Sequence, residues 1–209
     1  MLGDGWVIAM RVRGVGIAAT VALACSSDAP PPVRVDRSTQ RCDAANVSTT
    51  IDSAGIGPVL RGARVSQLAT RCTVSDTAIA MEGTPERAHI VRVGSRSLVA
   101  LSSGTSDTSI VRVITTDPGF HTAGGVGVGS SVQSLRLAHG GLCAARGEGL
   151  FVVMAANLPG VSFAIDWNPP ATLEASPFPG GDPGTALDAQ RITRVWVHGV
   201  LGACRVSVS

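Results

Sequence analysis

The chain has 209 residues, 44% of them apolar and 15% charged, and its seventeen basic residues, all arginine, against fifteen acidic ones leave a net charge of +2. The apolar share argues against a disordered chain, and so small a charge against a nucleic-acid-binding surface. The length fits one domain or two small fused halves, and the absence of lysine and tyrosine is read as the bias of a GC-rich bacterial genome.

Residues 14–24 form an uncharged apolar run preceded by Arg11 and Arg13. The run is far shorter than the roughly 20 residues of a membrane-spanning helix, and its positive-then-apolar order is that of a secretory signal. Met10 offers an alternative start to Met1. The run ends in Val21-Ala22-Leu23-Ala24-Cys25, which resembles the bacterial lipobox, although Ala22 stands where leucine is commoner. The resemblance implies that residues 1–24 are removed and that Cys25 becomes the lipidated N-terminus, holding the protein to a membrane. Ser26 follows where aspartate would retain a lipoprotein at the inner membrane, so the expected location is the outer membrane, facing the periplasm. Residues 25–41 begin polar and proline-rich, the composition of an extended tether.

Four cysteines remain: Cys42, Cys72, Cys143 and Cys204. In an oxidising envelope an even number reads as two disulfides, with three possible connectivities. A metal site has little support, because there is no Cys-x-x-Cys and His89, His121, His139 and His198 are scattered. No cofactor is expected.

Beyond Cys42 the chain echoes itself. Gly62, Val65 and Leu68 recur as Gly129, Val132 and Leu135, 67 residues later, each set following a glycine-rich approach. Val65, Leu68 and Cys72, like Val132, Leu135 and His139, sit at i, i+3 and i+7, the stripe of a short helix. Ser130 or Ser131 is a credible cap for the second helix, and Gly140-Gly141 stops it. Strands are predicted at 89–93, 97–101 and 109–114, then at 150–154, 161–167 and 192–197, with 203–208 as a last candidate. Between them, residues 168–190 form a Pro/Gly-rich loop expected to be mobile and outside the core.

The expected fold is therefore α+β: two repeated units, 42–118 and 119–209, each a short helix plus an antiparallel meander, sharing or abutting one sheet. If each bridge closes within its own unit, Cys42 pairs with Cys72 and Cys143 with Cys204.

The phrase Gly55-Ile56-Gly57-Pro58, continued by Gly62, Val65 and Leu68, and the phrase Phe120, Thr122, Gly125, Val126, Val128, Gly129, Ser130 and Leu135 resemble motifs of bacterial envelope lipoproteins with tandem turn-helix-meander repeats. More distantly, the pattern is similar to β-lactamase-inhibitor-like and small outer-membrane lipoprotein families. The close resemblance covers roughly residues 50–167 and brings no catalytic motif.

There is no Gly-x-Ser-x-Gly elbow, and the glycine run 124–129 lacks the lysine and spacing of a phosphate loop. Asp166 and His198 each close an apolar strand and would make an acid-base pair if those strands are neighbours. Trp167 and Trp196 stand out in a chain only 3% aromatic, as core anchors or as a hot spot for a partner or a sugar. The leading expectation is a non-enzymatic envelope module that binds a protein or cell-wall component. The rival is a small hydrolase using Asp166 and His198.

Overall fold

Three two-residue strands, β1 (Ile51–Asp52), β2 (Gly55–Ile56) and β3 (Val59–Leu60), form a small antiparallel sheet in the order β1-β2-β3. So tight a meander brings backbone close to backbone, and its glycines have a steric reason. Gly57 has φ +54°, and a Cβ there would lie 2.6 Å from the Ser48 carbonyl oxygen; only glycine meets both conditions without strain. A computed structural model describes residues 36–81, 83–104, 108–147, 150–167 and 181–199, all of them within the compact unit Val35–Ser209.

Helix α1 (Val65–Ala69) buries only Leu68. Helix α2 (Val132–His139) buries Val132 and Leu135, is capped by the Ser131 hydroxyl accepting from the Ser134 N–H, and ends at Gly140, whose φ is +74°. The remaining elements are strands: β4 (Val74–Met81), β5 (Thr84–Val93), β6 (Arg96–Ser103), β7 (Ser109–Thr115), β8 (Leu142–Gly147), β9 (Leu150–Ala155), β10 (Val161–Ile165) and β11 (Ile192–Val197). They pair antiparallel in one sheet, in the order β4-β5-β6-β7-β11-β10-β9-β8.

The architecture is mostly β, which corrects the expectation of α+β units each built from a helix and a meander. Helices of five and eight residues with one and two buried apolar side chains cannot form a layer; they cover part of a core that sheet residues dominate. Strands outside the expected meanders, β4 and β8, enlarge the sheet to eight, and the last strands of the two sets, β7 and β11, pair to make it continuous.

Alternation divides the side chains of the large sheet between two faces. One face carries the main core, with Val91, Leu98, Val113, Phe163, Val153 and Val195 packed against Leu68, Phe120, Val132 and Leu135. The other carries a smaller cluster of Met81, Ala88, Leu101, Ile114, Val152, Ala164 and Trp196. In a flat sheet Ile79 on β4 and Arg194 on β11, four strands apart, would be separated by about 19 Å. Yet they line the same cavity, so the sheet coils around this second face and makes it concave.

Residues 181–190 correct a second expectation. Leu187 is fully buried in the main core, and the segment docks on α2: the N–H groups of Val132 and Gln133 donate to the carbonyls of Gln190 and Asp188. Arg136 reaches Asp188 at 3.1 Å, Asp182 at 3.3 Å and the Gly184 carbonyl. Satisfied backbone groups and a buried leucine, not proline and glycine content, decide where such a segment lies. The earlier part of the expected loop, 168–180, and the candidate last strand 203–208 lie outside the described residues.

Candidate functional site

The strand register separates the expected acid-base pair. Val161 pairs with Val197 and Ile165 with Ile192, so Asp166 and His198 sit beyond opposite ends of the β10-β11 ladder, about 20 Å apart. The two strands are neighbours, but antiparallel pairing puts these two strand ends at opposite edges. His198 is buried and bonded elsewhere. Its Nδ1 is 2.7 Å from the Gly199 carbonyl, which can only accept, so Nδ1 carries the hydrogen and Nε2 accepts from the Ser162 hydroxyl at 2.6 Å.

The cysteines are partly placed. Cys42 and Cys72 form a disulfide with Cα atoms 4.9 Å apart, tying the start of the fold to the end of α1. Cys143, buried on β8, is disulfide-bonded as well, whereas Cys204 and the lipidation candidate Cys25 lie outside the described residues. A cleft of about 270 Å³ beside the Cys42–Cys72 bridge is lined by Arg41, Asp43, Arg71 and Arg92. Two of its cations are already committed. Arg41 pairs with Asp43 at 3.0 Å, and the Arg71 guanidinium donates to the carbonyls of Arg37, Gln40 and Pro58. Burial pulls the Arg71 pKa down, yet three carbonyl acceptors suit the charged form.

Sequence reasoning missed a hydrogen-bonded chain on the main-core face. Asp76, His89 and Ser102 lie on β4, β5 and β6, with Asp76 and His89 direct partners in register. His89 Nδ1 donates to the Asp76 carboxylate at 2.8 Å, and Nε2 lies 2.9 Å from the Ser102 hydroxyl, with which it shares a hydrogen bond. The legible signal was spacing, because the three residues are 13 apart in turn, one hairpin repeat each. The order of groups is that of a Ser-His-Asp triad, but the exposure is inverted. In a hydrolase the carboxylate is buried while serine and imidazole face substrate; here the Asp76 side chain is 75% exposed and the imidazole 1%. The chain satisfies a buried histidine from the solvent side.

The two tryptophans sit on opposite faces. Trp167 lies edge-on to Phe151, ring centroids 4.9 Å apart, and packs on the main core. Trp196 is 4% exposed on the concave face, between Ile114 and Ser162 in register, with the Arg112 guanidinium 6.0 Å from its ring. Its indole Nε1 is buried and has no hydrogen-bond partner among the described residues. The Ser162 hydroxyl, across the ladder in register, donates to His198 and makes no hydrogen bond to the indole. A buried donor left without an acceptor costs about 1–3 kcal/mol, and such a group calls for an explanation.

Next to this cluster lies a cavity of about 240 Å³ lined by Ile79, Met81, Val99, Ile114, Thr116 and Arg194. Met81 and Ile114 belong to the cluster that contains Trp196. Arg194 lies two residues before Trp196 on β11 and so shares its face. It is half-buried and makes no hydrogen bond or ion pair among the described residues. Apolar walls with a few convergent polar groups are the usual composition of a small-molecule seat. Among the described residues, no group of three or more His, Cys, Asp and Glu is arranged to hold a metal ion.

No family model and no curated protein matches the chain. Among solved structures, the uncharacterised protein YfeY from Escherichia coli is similar over 72% of this chain and 99% of its own, with a TM-score of 0.50 and 17% identity. At that identity the likeness concerns the fold alone.

Proposed function

We propose that the protein is a non-enzymatic lipoprotein of the bacterial cell envelope, anchored through Cys25 to the outer membrane and facing the periplasm, and that the concave face of its sheet seats a ligand drawn from the envelope. The observation that carries the binding reading is an apolar cavity lined by Arg194, which has no counter-ion among the described residues, next to a cluster in which the Trp196 indole N–H is buried without a partner among those residues. Anchoring rests on the arginine-then-apolar leader and the lipobox-like Val21–Cys25. The Cys42–Cys72 disulfide suits an oxidising compartment. Among the described residues, no helix is long and apolar enough to cross a membrane.

Hydrolysis is the less favoured reading. Asp166 and His198 are too far apart to share a proton, and the Asp76–His89–Ser102 chain opens its carboxylate, not its nucleophile, to solvent. A neutral fluorescent naphthylamine tests the seat on the full chain carrying Cys25→Ala, which needs no detergent. Saturable one-to-one binding that disappears when Val99→Trp fills the cavity supports the reading. Absence of saturable binding, or binding indifferent to Val99→Trp, rejects it.

A further inference from the structure

We infer that the concave seat takes a single-chain amphiphile with an anionic head, its tail among Ile79, Met81, Val99 and Ile114 and its carboxylate on Arg194; this rests on the binding reading above and names the class of ligand.

Three observations converge on that class. The first is charge. Arg194 projects from the concave face, half-buried and without a counter-ion or hydrogen bond among the described residues. Glu86 shares this face through its pairing with Ile79 but is exposed and makes no ion pair with it. A guanidinium partly withdrawn from water gains most from a carboxylate or similar planar anion, which it meets with two parallel N–H donors. The second is the company it keeps. Four of the lining residues, Ile79, Met81, Val99 and Ile114, are large and apolar, so a small inorganic anion would leave them unoccupied, whereas an alkyl tail removes them from water at no polar cost. The Trp196 indole packs in the adjoining cluster with Met81 and Ile114, which also line the cavity.

The third observation is size. An engineered apolar cavity of about 150 Å³ admits benzene, with its six carbons. The 240 Å³ here scales to about ten non-hydrogen atoms by that standard, which octanoate has. The space matches one short alkyl chain, which makes a single-chain carboxylate the ligand of choice.

The test titrates the detergent-free full chain carrying Cys25→Ala with octanoate, octanol and octyltrimethylammonium by calorimetry, and repeats the series on Arg194→Gln. One octanoate should bind with a Kd of about 0.1–1 mM. Loss of the guanidinium should weaken octanoate roughly ten- to a hundredfold and leave octanol nearly unchanged; the cationic amphiphile should bind worst. The comparison of the three head groups on the protein with Arg194 intact needs no further variant, so it stands even if Arg194→Gln fails to fold. Equal binding of octanoate and octanol, unaffected by Arg194→Gln, overturns the anionic assignment but leaves the seat in place. Failure of octanoate while the neutral naphthylamine still binds overturns the amphiphile class; failure of both removes the seat itself. Co-sedimentation with phosphatidylglycerol vesicles that is lost in Arg194→Gln, without octanoate binding, would identify a two-chain phospholipid and overturn the single-chain assignment.

Discussion

Replacing Leu187 with alanine tests whether the segment leading into β11 is part of the core. The side chain is 0% exposed, sits in the main cluster and comes from outside any strand, while its neighbours bond to α2 through the Gln190 and Asp188 carbonyls. Removing a fully buried leucine loses the transfer free energy of its missing carbons and leaves a cavity, together about 3–5 kcal/mol where the surroundings cannot collapse. Collapse is restricted here because backbone bonds and Arg136 hold the segment on α2. For a unit of this size each kcal/mol moves the melting temperature by about 2–4 °C, so Leu187→Ala should lower it by about 6–20 °C. Circular-dichroism melts and urea titrations on the same preparations check this. Leu137→Ala serves as the control, because Leu137 is 82% exposed and its truncation should stay within about 0.5 kcal/mol. Equal melting temperatures for the two variants would refute the placement of residues 181–190 in the core.

Further outcomes follow from the same physical account. Cys42→Ala with Cys72→Ala opens a loop of sequence separation 30 and should lose about 3–4 kcal/mol by the chain-entropy model; denaturant midpoints measure it, and no loss under non-reducing conditions would contradict the bridge. Gly57→Ala forces a side chain into the left-handed region and against the Ser48 carbonyl, so destabilisation of at least about 1–2 kcal/mol is expected, and a neutral result would overturn the close approach. Ser131→Ala removes the α2 cap and should cost about 1 kcal/mol, visible as a lower urea midpoint. Cys25→Ala should move the protein from the membrane fraction to the soluble envelope fraction on cell fractionation, and persistent membrane association would remove the anchor from the account.

Much of the strand content was legible in the sequence, because β5, β6, β7, β9, β10 and β11 alternate or run apolar with β-branched residues and are bounded by glycine or serine turns. Helix α2 was legible too, with its cap narrowed to Ser130 or Ser131 and its stop to Gly140-Gly141; the structure uses Ser131 and Gly140. Strand β4 was not: Val74-Ser-Asp-Thr-Ala-Ile-Ala-Met81 is dominated by small and polar residues, and it follows a helix whose stripe seemed to include Cys72, so its pairing with β5 had to come from tertiary context. Strand β8, Leu142-Cys-Ala-Ala-Arg-Gly147, is weak for the same reason. This is why the balance tipped to a mostly β fold. Leu187 escaped notice because composition cannot report one buried leucine among prolines and glycines.

The candidate site was legible only as its most conspicuous residue. Trp196 stood out by rarity, but that its indole N–H is buried without a partner among the described residues depends on the packing of neighbouring strands, which one strand does not reveal. Arg194 looked like any polar residue of an alternating strand until the coil of the sheet brought it opposite Ile79. The Asp76–His89–Ser102 chain needed two hairpins in register before its equal spacing meant anything.

The most direct test of the concave seat follows the Trp196 indole N–H in ¹⁵N-labelled protein, its cross-peak assigned through Trp196→Phe, as octanoate is added. A saturable shift of that resonance, with the Trp167 indole unmoved on the opposite face, is the predicted result. An unperturbed Trp196 resonance, or one that moves no more than Trp167, would contradict it.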